Sequence, residues 1–354
     1  MNINTDQISL TGFTSNLKFH YRRGKGHLLR YILNRIRWHW YPRFHILTKY
    51  PEHVDIELSA MCDMKCPMCY TITDEFKESV KRRNMKWDNI KKILDECGKG
   101  GVFSIRLSWR GESLLNKNYV ETIKYAKSVG IKEVSSLTNA LRLTPEIFEQ
   151  LVDANMDWLT ISVDGVGDTY NEIRNPAVFD ELIKKLEKFK EIKRKKGKVK
   201  PVIKVQTIYT AIEKNPQIYF DTFEPLVDQV SANQLVDYLQ QDNEIVYAPK
   251  FDCPVLYQRL TIGSDGRILM CYNDEFDHHV YGDITEGDTI LDVWEGKEMT
   301  KARELHMKHS GIEAYHACSR CFLPREHESY EVVNINGKKI SIDKLTGREQ
   351  EVGK

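Results

Sequence analysis

Eight cysteines are the residues of this chain best suited to chemistry, and seven of them fall into two groups. Cys62, Cys66 and Cys69 lie in MCDMKCPMCY, a Cys-x3-Cys-x2-Cys spacing. Three thiolates on one short loop suit three corners of a cubane iron–sulfur cluster and leave the fourth iron open. A structural zinc would want a fourth ligand nearby, and none follows locally. In the second group, twelve residues separate Cys253 from Gly266 and four separate Gly266 from Cys271. Cys318 and Cys321 then supply a Cys-x2-Cys after a further 46 residues. Four thiolates fill a cubane completely, and at tetrahedral geometry they also suit zinc. Cys97 is left over on a helical pattern and reads as packing. The start MNINTDQ lacks the charged, apolar and small-residue parts of a secretory signal, and no run of eighteen apolar residues occurs. A cytoplasmic location is therefore expected, where clustered cysteines act as metal ligands rather than disulfides.

These cysteines need a scaffold. The chain has 354 residues, 41% hydrophobic and 29% charged. That suits one large α/β domain plus something smaller, and excludes collagen, a disordered tail or a multi-span membrane protein. From Val54 to about Asn233, short β-branched runs alternate with amphipathic stretches. Strands are predicted at 54–59, 103–109, 133–139, 158–164, 201–208 and 229–235. Between them lie helix patterns such as WDNIKKILDEC, NYVETIKYAKSVG, TPEIFEQLVDANM and FDELIKKLEKFKEIKRKK. Such alternation means βαβ units around a parallel sheet or barrel. After Glu244 the pattern changes. LYQRLTIGSDGRILMCYND reads as two strands joined at Ser264-Asp265-Gly266, and ILDVWEGKEMTKARELHM as a helix. VVNINGKKISI reads as a hairpin with an Asn336-Gly337 turn. The lysine-rich run 184–200 reads as a solvated helix end.

The first cysteine spacing, just after the first strand, resembles the signature of the radical S-adenosylmethionine (radical SAM) superfamily. Further segments strengthen the resemblance. Trp-Arg-Gly-Glu-Ser-Leu-Leu (109–115) is similar to the family's Gly-Gly-Glu-Pro segment, with Arg110 and Ser113 departing from it. Leu-Thr-Asn (137–139) is similar to its Thr-Asn-Gly, with Ala140 in the glycine's place. Ile-Ser-Val-Asp-Gly (161–165) and the following Arg174 match a later strand end. The resemblance implies an α/β fold, a partial (β/α)6 TIM-like barrel with its site at the C-terminal strand ends. It implies that Cys62, Cys66 and Cys69 hold a 4Fe-4S cluster. It also implies that Met68, Tyr70, Gly111, Glu112, Asn139, Ser162 and Arg174 contact S-adenosylmethionine, with Asp164 structural. The second group resembles the SPASM/twitch auxiliary domain, through its Cys-x12-Gly-x4-Cys opening, Gly282-Asp283-Ile284 and the stretch from Ile290 to Trp294. A small C-terminal α+β domain is implied, in which Cys253, Cys271, Cys318 and Cys321 hold one auxiliary 4Fe-4S cluster. The expected organisation is an N-terminal extension (1–50), a radical SAM core (51–245), an auxiliary domain (246–330) and a C-terminal hairpin or tail (331–354).

In that family the SAM-bound cluster gives a 5′-deoxyadenosyl radical that abstracts hydrogen from substrate. The twitch form implies dehydrogenation of a sugar, aminocyclitol or related carbinol, with the auxiliary cluster as electron acceptor. Epimerisation of such a substrate and modification of a peptide are the alternatives. Gln206, Thr207, Asn233 and Tyr238 are the candidate substrate contacts, and His278 or His279 a candidate base. An external one-electron donor such as flavodoxin or ferredoxin is implied, and no nucleic acid.

The formal net charge is only +1, yet nine Lys or Arg and no acidic residue lie between Asp6 and Glu52. The rest of the chain is therefore net acidic. Leu29, Ile32, Leu33, Ile36 and Trp40 recur at helical spacing in this basic segment. They are expected to pack on the barrel with the cations facing water. The alternative for residues 18–49 is contact with a membrane face or an anionic carrier.

Overall fold

A computed structural model describes residues 7–348 and 351–352. The start MNINTD and the tail positions 349–350 and 353–354 lie outside the described residues. All six predicted core strands form: β2 (His53–Ile56), β3 (Ser104–Arg106), β4 (Glu133–Thr138), β5 (Trp158–Ser162), β6 (Val202–Ile208) and β7 (Gln229–Asn233). They pair in parallel and in chain order. Helices Trp87–Gly100, Tyr119–Ser128, Pro145–Asp153 and Phe179–Lys195 connect successive strands. Each turns an apolar stripe to the sheet, for example Ile90, Ile93, Leu94 and Cys97. Cys97 is fully buried there, as packing requires. The lysine-rich end of Phe179–Lys195 is tied down by ion pairs such as Lys193–Asp228 and Lys195–Glu191.

The barrel does not close on itself. At one edge β1 (Gln7–Ser9) runs antiparallel to β7. At the other, β8 (Arg259–Ile262) joins β2 in parallel, and the hairpin continues through β9 (Arg267–Leu269) to β10 (Val280–Asp283). The cysteine-bearing hairpin therefore extends the core sheet to ten strands. Gly266 turns it with φ +101°, as the Ser-Asp-Gly reading expects. The single helix expected over 290–307 is instead two, Ile290–Trp294 and Lys297–Met307. Gly296, extended between them, approaches the Asp292 carbonyl closely, where a Cβ would sit at 2.6 Å. A separate hairpin, β11 (His327–Ile335) and β12 (Lys338–Leu345), turns at Asn336 and Gly337, both with positive φ.

The basic segment forms α1 (Phe13–Gly24) and α2 (Leu28–Trp40). They cover the N-terminal ends of the strands: Arg23 pairs with Glu133 at 2.7 Å, Phe19 meets Trp158, and Trp38 meets His53. Their orientation reverses the expectation. Tyr31 and Asn34 are buried, whereas Leu29, Ile32, Leu33, Ile36 and Trp40 are exposed. The barrel floor is charged, so it takes the arginine-bearing face and leaves the apolar stripe outside.

Candidate active site

The loop after β2 carries Cys62, Cys66 and Cys69. Its backbone is stitched down on both sides: Ala60 N–H donates to Arg83 O at 3.1 Å, and Glu112 N–H donates to Met61 O at 2.8 Å. Gly111 permits the second contact, because a Cβ there would lie 2.4 Å from Met61 O and 2.5 Å from Ser59 O. Cys69 N–H closes a turn onto Cys66 O at 3.0 Å. Burial raises the Cys66 thiol, with the neighbouring Cys69 adding to it, while Cys62 is exposed at the loop surface. Asn139 Nδ2 lies 3.9 Å from Cys62 Sγ, and Arg174 Nη1 lies 3.6 Å from Cys66 Sγ. Asp164 holds Arg174 in place through Nε at 2.7 Å, and itself accepts from Ile208 N–H at 2.9 Å.

Glu112 is buried and accepts from Asn139 N–H at 2.8 Å, Thr138 Oγ1 at 2.9 Å and Leu114 N–H at 3.1 Å. Desolvation outweighs these bonds and raises its carboxyl to about 7. The flanking departures from the family pattern have structural employment. Arg110 clamps Glu57 at 2.7 and 2.8 Å and reaches Asp277 at 2.6 Å on the auxiliary hairpin. Ser113 donates its hydroxyl to the Leu107 carbonyl. Ala140 takes φ 61°, the left-handed conformation a glycine adopts freely. Met68 and Ser162 are buried, Ser162 opposite Gln206 across the β5–β6 ladder.

The four later cysteines line one small cavity with apolar neighbours including Phe251, Met270 and Leu323. Burial pushes Cys253 and Cys321 up to about 12, and Cys271 and Cys318 well above their ordinary value. The thiols also raise one another, Cys271 through all three of its partners. Bonds to sulfur converge here: Asn273 Nδ2 to Cys321 at 3.0 Å, Asn273 N–H to Cys271 and Leu323 N–H to Cys321 at 3.4 Å. Crowded buried thiols with N–H donors aimed at sulfur fit a cationic iron–sulfur group, which would deprotonate them. Among the described residues no three His, Cys, Asp or Glu gather as a single-ion site; the four thiols surround a cavity instead.

A cavity of about 430 Å³ lies inside the barrel. Tyr70, next to Cys69, lines one part, and Asn273, bonded to Cys321, lines another. Gln206, Asn233 and Tyr238 also line it. Thr207 does not: it points the other way along β6 and donates to the Ile208 carbonyl at 3.0 Å. His278 and His279 are absent from the lining, and the His278 ring lies tilted against His316 with centroids 4.3 Å apart. Residues missed at the sequence level are Arg106, Lys204, Arg259, Trp158 and Glu275. The signal was present in strand alternation: Ser104-Ile105-Arg106-Leu107-Ser108 and Ile203-Lys204-Val205-Gln206 put polar side chains on one face. Arg106 and Arg259 meet the buried Asp55 at 2.9 and 3.2 Å. Desolvation lifts the Glu275 carboxyl to about 8.

Residues 56–208 match the sequence model of the Radical SAM superfamily, and residues 253–322 match that of an iron-sulfur cluster-binding domain, SPASM. The AdoMet-dependent heme synthase of Methanosarcina barkeri is 30% identical over 143 residues, 40% of this chain and 40% of its own. The chain spans 29% to 60% of the length of the first three curated relatives it matches. Among solved structures, BtrN in complex with AdoMet and 2-DOIA shares 17% identity over 77% of this chain and 92% of its own, with TM-score 0.54. Streptococcus suis SuiB bound to precursor peptide SuiA shares 14% identity over 85% and 82%, with TM-score 0.54. Likeness at these identities is one of fold. The two sequence matches cover the two cysteine groups and most of the scaffold between them, so the chain belongs to the radical SAM superfamily and carries a SPASM-type auxiliary domain, with S-adenosylmethionine and iron–sulfur clusters as its cofactors.

Proposed function

We propose that this chain oxidises a carbinol of a small polar substrate, a sugar, aminocyclitol or similar molecule bearing an anionic group, by two electrons. The cavity inside the barrel carries this reading, because Tyr70, next to Cys69, and Asn273, bonded to Cys321, both line it. Cys62, Cys66 and Cys69 would hold the first 4Fe-4S cluster. Met68, Tyr70, Gly111, Glu112, Asn139, Ser162 and Arg174 would surround S-adenosylmethionine, and Cys253, Cys271, Cys318 and Cys321 would hold the second cluster. When bound, these groups supply the 5′-deoxyadenosyl radical that takes the carbinol hydrogen and a sink for the one electron left behind. The chain must supply a proton acceptor for the hydroxyl. Glu275 is the carboxyl available in the cavity wall beside Tyr70. The lining cations Arg23, Arg35, Arg106, Lys204 and Arg259 outnumber the carboxylates Glu133, Glu275 and the adjoining Asp55 and favour an anionic substituent, while Gln206, Asn233 and Tyr238 offer polar contacts.

Epimerisation needs a hydrogen donor such as a thiol, and no cysteine is in the cavity lining. SuiB's bound peptide supports the peptide reading. The charged floor built by Arg23, Arg35 and Trp38 instead suits a compact ligand. The test incubates the reconstituted, reduced protein and SAM with carbinol-deuterated sugar phosphates and sugar acids. Deuterium in 5′-deoxyadenosine with an equal yield of carbonyl product is expected. Deuterium transfer with an inverted alcohol, or transfer only from peptides, would replace this reading.

A further inference from the structure

We infer that the outward face of α1 and α2 is a docking surface for an anionic lipid bilayer. Phe13, Leu17 and Tyr21 repeat every four residues on α1, and all are exposed, Phe13 at 76%. On α2, Leu29, Ile32, Leu33, Ile36 and Trp40 form a second exposed stripe about 100° wide, with Leu29 at 79%. Phe44, Ile46 and Leu47 extend the apolar surface beyond the helix end. The opposite faces are already used: Phe19, Arg23, Tyr31 and Asn34 are buried against the barrel floor. A helix pair already seated on the barrel through one face, with apolar stripes on the other, has a water-avoiding surface turned outward by the fold itself.

Charge decides the occupant. The exposed cations Lys18, Lys25, Arg30, Arg37, Arg43 and Lys49 border the stripes, and no acidic residue lies between Asp6 and Glu52. A second copy related by two-fold symmetry would set this cationic face against itself. An anionic membrane surface complements both the apolar stripe and its basic rim. Beside the stripe, Arg30, Arg37 and Lys132 line a groove of about 470 Å³ together with Glu52, which pairs with Arg37 at 3.3 Å. The face lies at the N-terminal strand ends, whereas the loop of Cys62, Cys66 and Cys69 follows the C-terminal end of β2. Docking would thus leave the active-site mouth turned to solution, and tethering would be separable from chemistry.

The experiment floats the full reconstituted chain with vesicles of phosphatidylcholine alone and with vesicles containing phosphatidylglycerol. Recovery with anionic vesicles only is expected, falling at about 1 M salt, where the screening length is about 3 Å. A Leu29→Gln/Ile36→Gln variant should bind at least about 10-fold less, with iron content and SAM cleavage unchanged. Absence of flotation, equal flotation with both vesicles, or wild-type flotation by the variant overturns the inference. So does a lipid-free dimer that the variant dissociates.

Discussion

At the scale of single residues, two desolvated carboxyls carry testable consequences. Glu275 is raised to about 8 by desolvation, so near neutrality most of it is protonated and unable to accept the hydroxyl proton. Substrate turnover should therefore climb with pH and level off above about 8, and Glu275→Gln should cut turnover by about 100-fold and flatten that rise. Cleavage of SAM without substrate should survive the substitution, which a stopped assay of 5′-deoxyadenosine reads directly. Glu112 is raised to about 7 by the same cause. Only its deprotonated form attracts an ammonium, so SAM affinity should improve as pH rises to about 7 and stay level beyond it. Equilibrium binding across that range checks the sign, and Glu112→Gln should lose the dependence. Spacing singled out the cysteines and Glu112 in the sequence, because they sit on loops and strand ends with fixed separations. Glu275 was not legible, since its proximity to Tyr70 arises from a contact between segments about 200 residues apart in the chain.

At the scale of elements, the sheet explains both what could be read and what could not. Strand runs such as WLTISVD and PVIKVQTI alternate strongly enough to fix six strands and their order. The same alternation distinguishes Gln206, which lines the cavity, from Thr207, which does not. What sequence spacing does not carry is register between distant elements. The parallel pairing of β8 with β2 brings the auxiliary hairpin against the core. Trp109 Nε1 donates to Tyr272 O at 2.7 Å across that junction, and Arg110 spans it to Asp277. Gly111 is the tightest backbone approach at the cysteine loop. Gly111→Ala should displace the loop against two carbonyls, lowering iron retention at the first cluster and costing about 1–3 kcal/mol of stability. Iron counting and denaturant unfolding of the variant would check both effects.

At the scale of the whole molecule, the three regions form one continuous construction. The N-terminal helices floor the barrel, the parallel strands wall it, and the auxiliary hairpin extends the wall past its edge. Periodicity located α2, but the direction of its apolar stripe depended on the charge of the floor it covers. On α2 the buried Asn34 donates to Glu52 at 2.7 Å, and Tyr31 packs beside Arg23 of α1, whose partner Glu133 is distant in sequence. No described helix is long and apolar enough to cross a membrane. Three cysteines share the loop after β2, four line one small cavity, and each group is proposed to hold one cluster. The most direct test of that assignment is anaerobic reconstitution with iron and zinc counted together. About eight irons per chain, falling to about four when Cys62, Cys66 and Cys69 are replaced by Ala and likewise when Cys253, Cys271, Cys318 and Cys321 are, is the predicted result. Four irons and one zinc, with the zinc lost on replacing the second group, would contradict an electron-accepting auxiliary cluster and with it the proposed oxidation.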